Sequence, residues 1–201
     1  MELYMSYLRG VLEGIGRPVI VVGHSSGGII ASQLAEREAK RVKALVYVAG
    51  MMLPSGLKFA ELVEKFSKCD PTALGIVPHL DWSKDGETST VKKGYARKIF
   101  YQDCPVRQAS AAAKLLKPHP QRGRDISARL TKGRYGKIPR AYIEAKLDQS
   151  IPLKIQRHMQ KLVPGTKRYT LNTGHAPQLA APEELAATMT LAISRLLPEK
   201  V

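Results

Sequence analysis

Aromatic residues are scarce in this 201-residue chain, at 6% of positions with one tryptophan. Acid is scarce as well: 17 Asp and Glu stand against 32 Lys and Arg, a formal net charge of +15. Cysteine is nearly absent. Cys69 and Cys104 supply neither a disulfide framework nor the paired spacing of a metal site, and they read as reduced thiols of a cytoplasmic protein. No metal and no cofactor is expected. The longest apolar run, "ALVYVAGMML" from Ala44 to Leu53, is about half the length of a membrane-spanning helix, so no membrane partner is expected. The opening "MELYMSYLRG" has an acid at position 2 and no basic stretch before an apolar run, and it does not read as a signal peptide. A Walker lysine and a G-x-G-x-x-G loop are also missing, which argues against a phosphate cradle.

The surplus of positive charge lies largely between Lys92 and Lys137, in stretches such as "KKGYARK" and "RGRDISARLTKGRYGK". Such a field attracts nucleic acid. No zinc-finger, RRM or KH signature accompanies it, however, and the basic residues alternate with Ala, Leu, Ile and Pro rather than with aromatics. A solvated basic face is the stronger reading, with nucleic-acid binding the lesser alternative.

What is present reads as one domain, residues 1–201, with an ordinary 44% of apolar residues. Leu8, Val11, Leu12 and Ile15 fall at helical spacing and are stopped by Gly14, Gly16 and Pro18. "PVIVVG" follows as a strand buried on both faces, then "GGIIASQLAEREAKRV" as a helix and "KALVYVAG" as a second buried strand. Strand, helix, strand over about thirty residues is a βαβ unit and predicts a mostly parallel α/β sheet. Residues 51–137, rich in Lys, Pro and Gly, break this rhythm and read as a cap inserted into the sheet. Short helical patterns fall at 59–66, 95–101 and 111–116, with Trp82 as a candidate anchor. "PRAYIEAKLD" then returns as a strand, "QSIPLKIQRHMQKLV" as a helix, "KRYTLN" as a last strand and "PEELAATMTLAISRLL" as a closing helix.

Between the first strand and its helix stands "GHSSGG". Gly23-His24-Ser25-Ser26-Gly27 fits G-x-S-x-G in the strand-to-helix setting of a nucleophile elbow, where glycines on either side let strand and helix approach. A nucleophilic serine needs a base, and the base an orienting carboxylate, in the chain order Ser, Asp or Glu, His. His24 lies inside the elbow, His79 and His119 beside prolines in the cap, and His158 in a helical pattern. His175, in "LNTGHAPQL", follows the last strand in a glycine-containing loop. Asp148 ends "PRAYIEAKLD", while Glu144 lies within that strand and reads as packing or solvent-facing. Ser25, Asp148 and His175 are therefore the candidate catalytic residues. Met51, Met52, Phe100, Tyr101 and Leu179 are candidate pocket walls, each equally readable as core.

With these residues in place the chain resembles the branch of the α/β-hydrolase superfamily that holds plant methylesterases, hydroxynitrile lyases and related bacterial esterases. The carriers are "RPVIVVGHSSGG", "LVYVAGMMLPSG", "FYQDCP", "PRAYIEAKLDQSIP" and "GHAPQLAAPEELA", over residues 3–198. The resemblance implies Ser25 as nucleophile, His175 as general base and acid, Asp148 as its orienter, and the Ser26 backbone N–H as one oxyanion donor. Lyases of this branch commonly carry lysine directly after the histidine. Ala176 stands there instead, so the resemblance implies cleavage of a small ester.

The resemblance also implies a departure. Family members begin with a strand and a glycine-rich "HGA" loop that supplies the second oxyanion donor, whereas this chain starts in the helix before the nucleophile strand. The expectation is an N-terminally truncated member, one donor short, at a rate cost on the order of a hundred- to a thousand-fold. Its "VIVV" strand would then become an exposed sheet edge, through which a homo-oligomer could pair. Three readings stay open: a serine esterase, an inactive truncated member serving as a binding scaffold, and a basic nucleic-acid-binding protein.

Overall fold

Two runs, "ALVYV", wholly apolar, and "RAYIEA", which carries Arg140 and Glu144, are buried along their length, as in strands covered on both faces. In the computed structural model, which describes residues 1–198, they form the centre of a parallel sheet. The last three residues of the expected 1–201 domain lie outside the described residues. In chain order the elements begin with α1 (Glu2–Ile15), β1 (Val19–His24), α2 (Gly27–Arg37) and β2 (Val42–Val48). The insertion follows with α3 (Phe59–Ser67), β3 (Leu80–Trp82), β4 (Thr88–Val91), α4 (Tyr95–Ile99), α5 (Val106–Lys114), β5 (His119–Pro120) and α6 (Gln121–Arg124). The chain closes with β6 (Arg140–Ala145), α7 (Leu153–Leu162), β7 (Thr166–Leu171), α8 (Pro177–Ala180) and α9 (Pro182–Leu196).

The main sheet has the order β1-β2-β6-β7, and all its pairings are parallel. Alternation along β2 sends Leu45 and Tyr47 to one face, against Ala31 and Ala35 of α2, and Val46 and Val48 to the other, against Leu185 of α9. Each such fully buried aliphatic side chain contributes roughly 1.5–3 kcal/mol. Among the described residues no helix is both long and apolar enough to cross a membrane.

The structure differs from the sequence reading, or adds to it, at four points. β1 stands at the sheet edge as expected, with β2 its only neighbour among the described residues, but it is not buried on both faces, since Val22 is 44% exposed. The inward face of α1 is Met5, Leu8 and Leu12, packed on Leu34, Val19 and Val21. Val11 and Ile15 instead join Leu3 and Tyr7 in an outward stripe at four-residue spacing. The insertion contains a small antiparallel sheet, β3-β4-β5, that the sequence did not announce. Trp82 sits on that sheet 48% exposed, so it does not anchor the cap.

What does anchor the insertion is α2. The Gln33 side chain pairs with both backbone groups of Arg129, donating to its carbonyl at 3.4 Å and accepting from its N–H at 2.8 Å. The Glu36 carboxylate accepts from Thr131 N–H and Oγ1, both at 2.8 Å, and from Tyr135 N–H at 3.1 Å. Burial would raise the Glu36 carboxyl, but these hydrogen bonds outweigh it and hold it below the ordinary value. The helix that follows the elbow therefore also fixes the segment by which the insertion rejoins the sheet.

Candidate active site

β1 ends in glycine and histidine, and Ser25 follows with φ +53°, a left-handed backbone that costs a non-glycine residue on the order of 1–3 kcal/mol. The turn is held by its own carbonyl. Ser25 O accepts from Gly28 N–H at 3.0 Å and from Met51 N–H at 2.8 Å, the latter from the segment leaving β2. The Ser26 N–H, at the start of α2, donates to no backbone carbonyl among the described residues. The two tight glycines are Gly23 and Gly28, not the motif's Gly27. A Cβ on Gly23 would meet Gly28 Cα at 2.8 Å, and one on Gly28 would meet Met51 N and O at 2.8 Å, whereas Gly27 faces open space.

The other two candidates come from loops at the same end of the sheet, after β6 and β7. Asp148 lies three residues past β6, with Oδ1 accepting from Ser150 N–H at 2.7 Å and Ile151 N–H at 2.9 Å. Its Oδ2 lies 2.8 Å from His175 Nδ1, and His175 Nε2 lies 3.1 Å from Ser25 Oγ. An ionised carboxylate only accepts, so the shared proton sits on Nδ1 and Nε2 presents its lone pair to the serine hydroxyl. Asp148 and His175 are both 5% exposed. A serine hydroxyl aimed at an imidazole that is itself held by a buried carboxylate can undergo nucleophilic acyl transfer.

His24, set aside by the sequence reading, also belongs to this site. Its Nε2–H donates to the His175 backbone carbonyl at 2.7 Å, and the two rings stand 4.8 Å apart. Burial first, and then the neighbouring His175, push the His24 pKa down to about 4, so it stays neutral at ordinary pH. Its place directly before Ser25 was the available signal.

The five wall candidates separate. The Phe100 ring lies 5.3 Å from that of His175. Tyr101 and Leu179 pack with Cys104 and Ala176 beside the same loop. Met51 lies in the apolar cluster of Ile29 and Leu53, next to the elbow. Met52 is fully buried among Tyr47 and Tyr142, so it is core and not wall. A cavity of about 410 Å³, lined by Pro71, Leu74, Pro78, His79, Ile99 and Asp148, opens on the flank of the acid and not over Ser25. Glu144, fully buried, is bound by Gln160 at 2.9 Å and Thr170 at 3.0 Å and faces Arg157, which takes it out of the site. Burial pushes the Cys104 thiol up to about 11, and no group of three or more metal-ligating side chains occurs among the described residues.

A parallel sheet with a serine elbow at one strand end and an acid and a histidine on later loops defines a class, and the comparisons agree. Residues 3–188 match the alpha/beta hydrolase family, and the chain belongs to it. It is similar to a pyrethroid hydrolase of Sphingobium wenxiniae, 28% identical over 198 residues that cover 92% of this chain and 67% of that one. It is similar also to methylesterase 17 of Arabidopsis thaliana, 30% identical over 82% of this chain and 62% of the relative. A solved structure of a pyrethroid hydrolase superposes with a TM-score of 0.81 at 25% identity, covering 98% of this chain and 78% of that chain. The chain thus spans about two thirds of the length of these two curated relatives.

Proposed function

We propose that this chain is a serine hydrolase of the carboxylesterase type, cleaving a small carboxylic ester by two-step acyl transfer. Ser25 Oγ attacks the ester carbonyl while His175 Nε2 takes its proton. Asp148 holds the imidazole and stabilises the imidazolium that forms. The Ser26 N–H donates to the developing oxyanion. His175 then returns the proton to the departing alcohol, and a water activated by the same nitrogen releases the acid. The observation that carries this reading is the hydrogen-bonded line from Ser25 through His175 to buried Asp148, at 3.1 and 2.8 Å. The esterase and hydrolase names of its relatives support it. Ala176, buried beside Cys104, brings no cation to the leaving group, in keeping with ester hydrolysis.

A fluorophosphonate probe tests the proposal. One adduct is expected on Ser25, located by mass spectrometry, absent from Ser25→Ala and strongly slowed in His175→Ala. A cooperatively folded protein that takes no adduct would leave the elbow as scaffold only, the inactive-member reading.

A further inference from the structure

The stretch "FYQDCP" sits in the insertion, where it supplies a ring beside His175 through Phe100. Its next residues do something the proposed chemistry does not yet use. Gln102 Nε2 donates to the Leu147 carbonyl at 2.7 Å, immediately before Asp148. Asp103 Oδ2 accepts from the Gly174 N–H at 2.5 Å, immediately before His175. Two adjacent side chains therefore grip the two loops that carry the acid and the base. Leu147 N–H and Thr173 O, 2.9 Å apart, join those loops directly from the other side.

The fit around Gly174 is close. A Cβ there would run into the Gln102 side-chain amide and meet Asp103 Oδ1 at 2.7 Å, so a side chain at that position would push against both gripping groups. Asp103 Oδ1 and Gln102 Oε1 are buried without a hydrogen-bond partner among the described residues. Burying polar oxygens in this way is costly. A surface ion pair would not demand it, and a brace on the neighbouring loops offsets it.

We infer that Asp103, assisted by Gln102, is a positioning residue, by which the insertion sets the separation of Asp148 and His175 and keeps Nε2 aimed at Ser25. The kinetic part of this inference rests on the esterase reading; the structural part does not. Misplacement by about 1 Å at a reacting centre costs up to roughly a hundredfold in rate.

The test uses the full chain, with hydrolysis of p-nitrophenyl acetate and NMR read side by side. Asp103→Ala is expected to lower kcat roughly ten- to a hundredfold with KM nearly unchanged. It should also speed hydrogen exchange at the Gly174 amide. Asp103→Asn keeps an acceptor oxygen for that amide and is expected to restore most of both. Asp103→Ser, polar but too short to reach Gly174, carries the same expectation as alanine if the alanine variant does not fold. Wild-type kcat and wild-type Gly174 protection in Asp103→Ala would overturn the inference. So would an asparagine variant as impaired as alanine while Gly174 stays protected, since charge and not the hydrogen bond would then be at work. If the wild type neither hydrolyses the ester nor takes the fluorophosphonate, the esterase reading fails by itself, and Gly174 exchange alone decides the brace.

Discussion

At the scale of single residues, the elbow separates the motif's last glycine from the glycine that follows it. Gly27 completes G-x-S-x-G, yet a side chain there meets nothing within 4 Å. Gly28 stands outside the motif, and a Cβ on it would press on the backbone N and O of Met51, the residue whose N–H holds the Ser25 carbonyl. Backbone cannot swing aside as a side-chain tip can. Gly28→Ala is therefore expected to destabilise by roughly 1–3 kcal/mol, the range for overpacking, and to disturb the Ser25 turn. Gly27→Ala, at the first residue of α2, is expected to be neutral or to stabilise by up to about 1 kcal/mol. Urea unfolding of the two variants reads the difference directly; equal midpoints would mean that the elbow relaxes around either methyl. The motif was legible because Ser25 follows an unmistakable apolar run. Which glycine is tight was not, because it depends on Met51, over twenty residues further along the chain.

At the scale of elements, legibility followed length and range. The four strands of the main sheet are runs of six or seven residues, and the apolar pattern of β1 and β2 stands out. The strands of the small sheet hold three, four and two residues, largely polar, and nothing in their local pattern marks them. Asp103 was equally hidden, since its partner Gly174 lies 71 residues away. α1 was read as a helix from a set that mixes its two sides, Leu8 and Leu12 packing inward and Val11 and Ile15 lying outward, because Leu3, Tyr7, Val11 and Ile15 make a periodic stripe of their own. The link between α2 and the insertion carries a pH dependence. Glu36 is held below its ordinary value of 4.5 in the folded chain by Thr131 and Tyr135, against the opposing effect of burial. Its stabilising contribution is full above that ordinary value and is lost as the pH falls through the lower folded value. Hydrogen exchange at the Thr131 and Tyr135 amides is expected to accelerate as the pH is lowered below about 4.5, once corrected for intrinsic rates. Glu36→Gln, which cannot ionise, should flatten that dependence; an unchanged profile in the variant would assign the acid sensitivity to another carboxyl.

At the scale of the whole molecule two features oppose one another. β1 has one strand neighbour among the described residues and carries Val22 at 44% exposure, so its other side offers backbone N–H and C=O groups to any strand that can approach. Against that stands a net charge of +15, which makes every copy of the chain repel every other. The repulsion is long-ranged and weakens with ionic strength, as the Debye length shrinks from about 30 Å at 0.01 M salt to about 10 Å at 0.1 M. Strand pairing is short-ranged and hardly screened. Adding sodium chloride should therefore promote self-association, the reverse of what is expected when opposite charges hold copies together. Sedimentation velocity across a salt series is expected to show a species that grows with ionic strength. Val22→Lys, which sets a charge on the edge itself, should suppress that species at every salt concentration. Association that falls with salt would show that the basic face attracts rather than repels. Association that rises with salt but ignores Val22→Lys would move the contact away from β1, and the exposed stripe of Leu3, Tyr7, Val11 and Ile15 on α1 would be the next surface to charge.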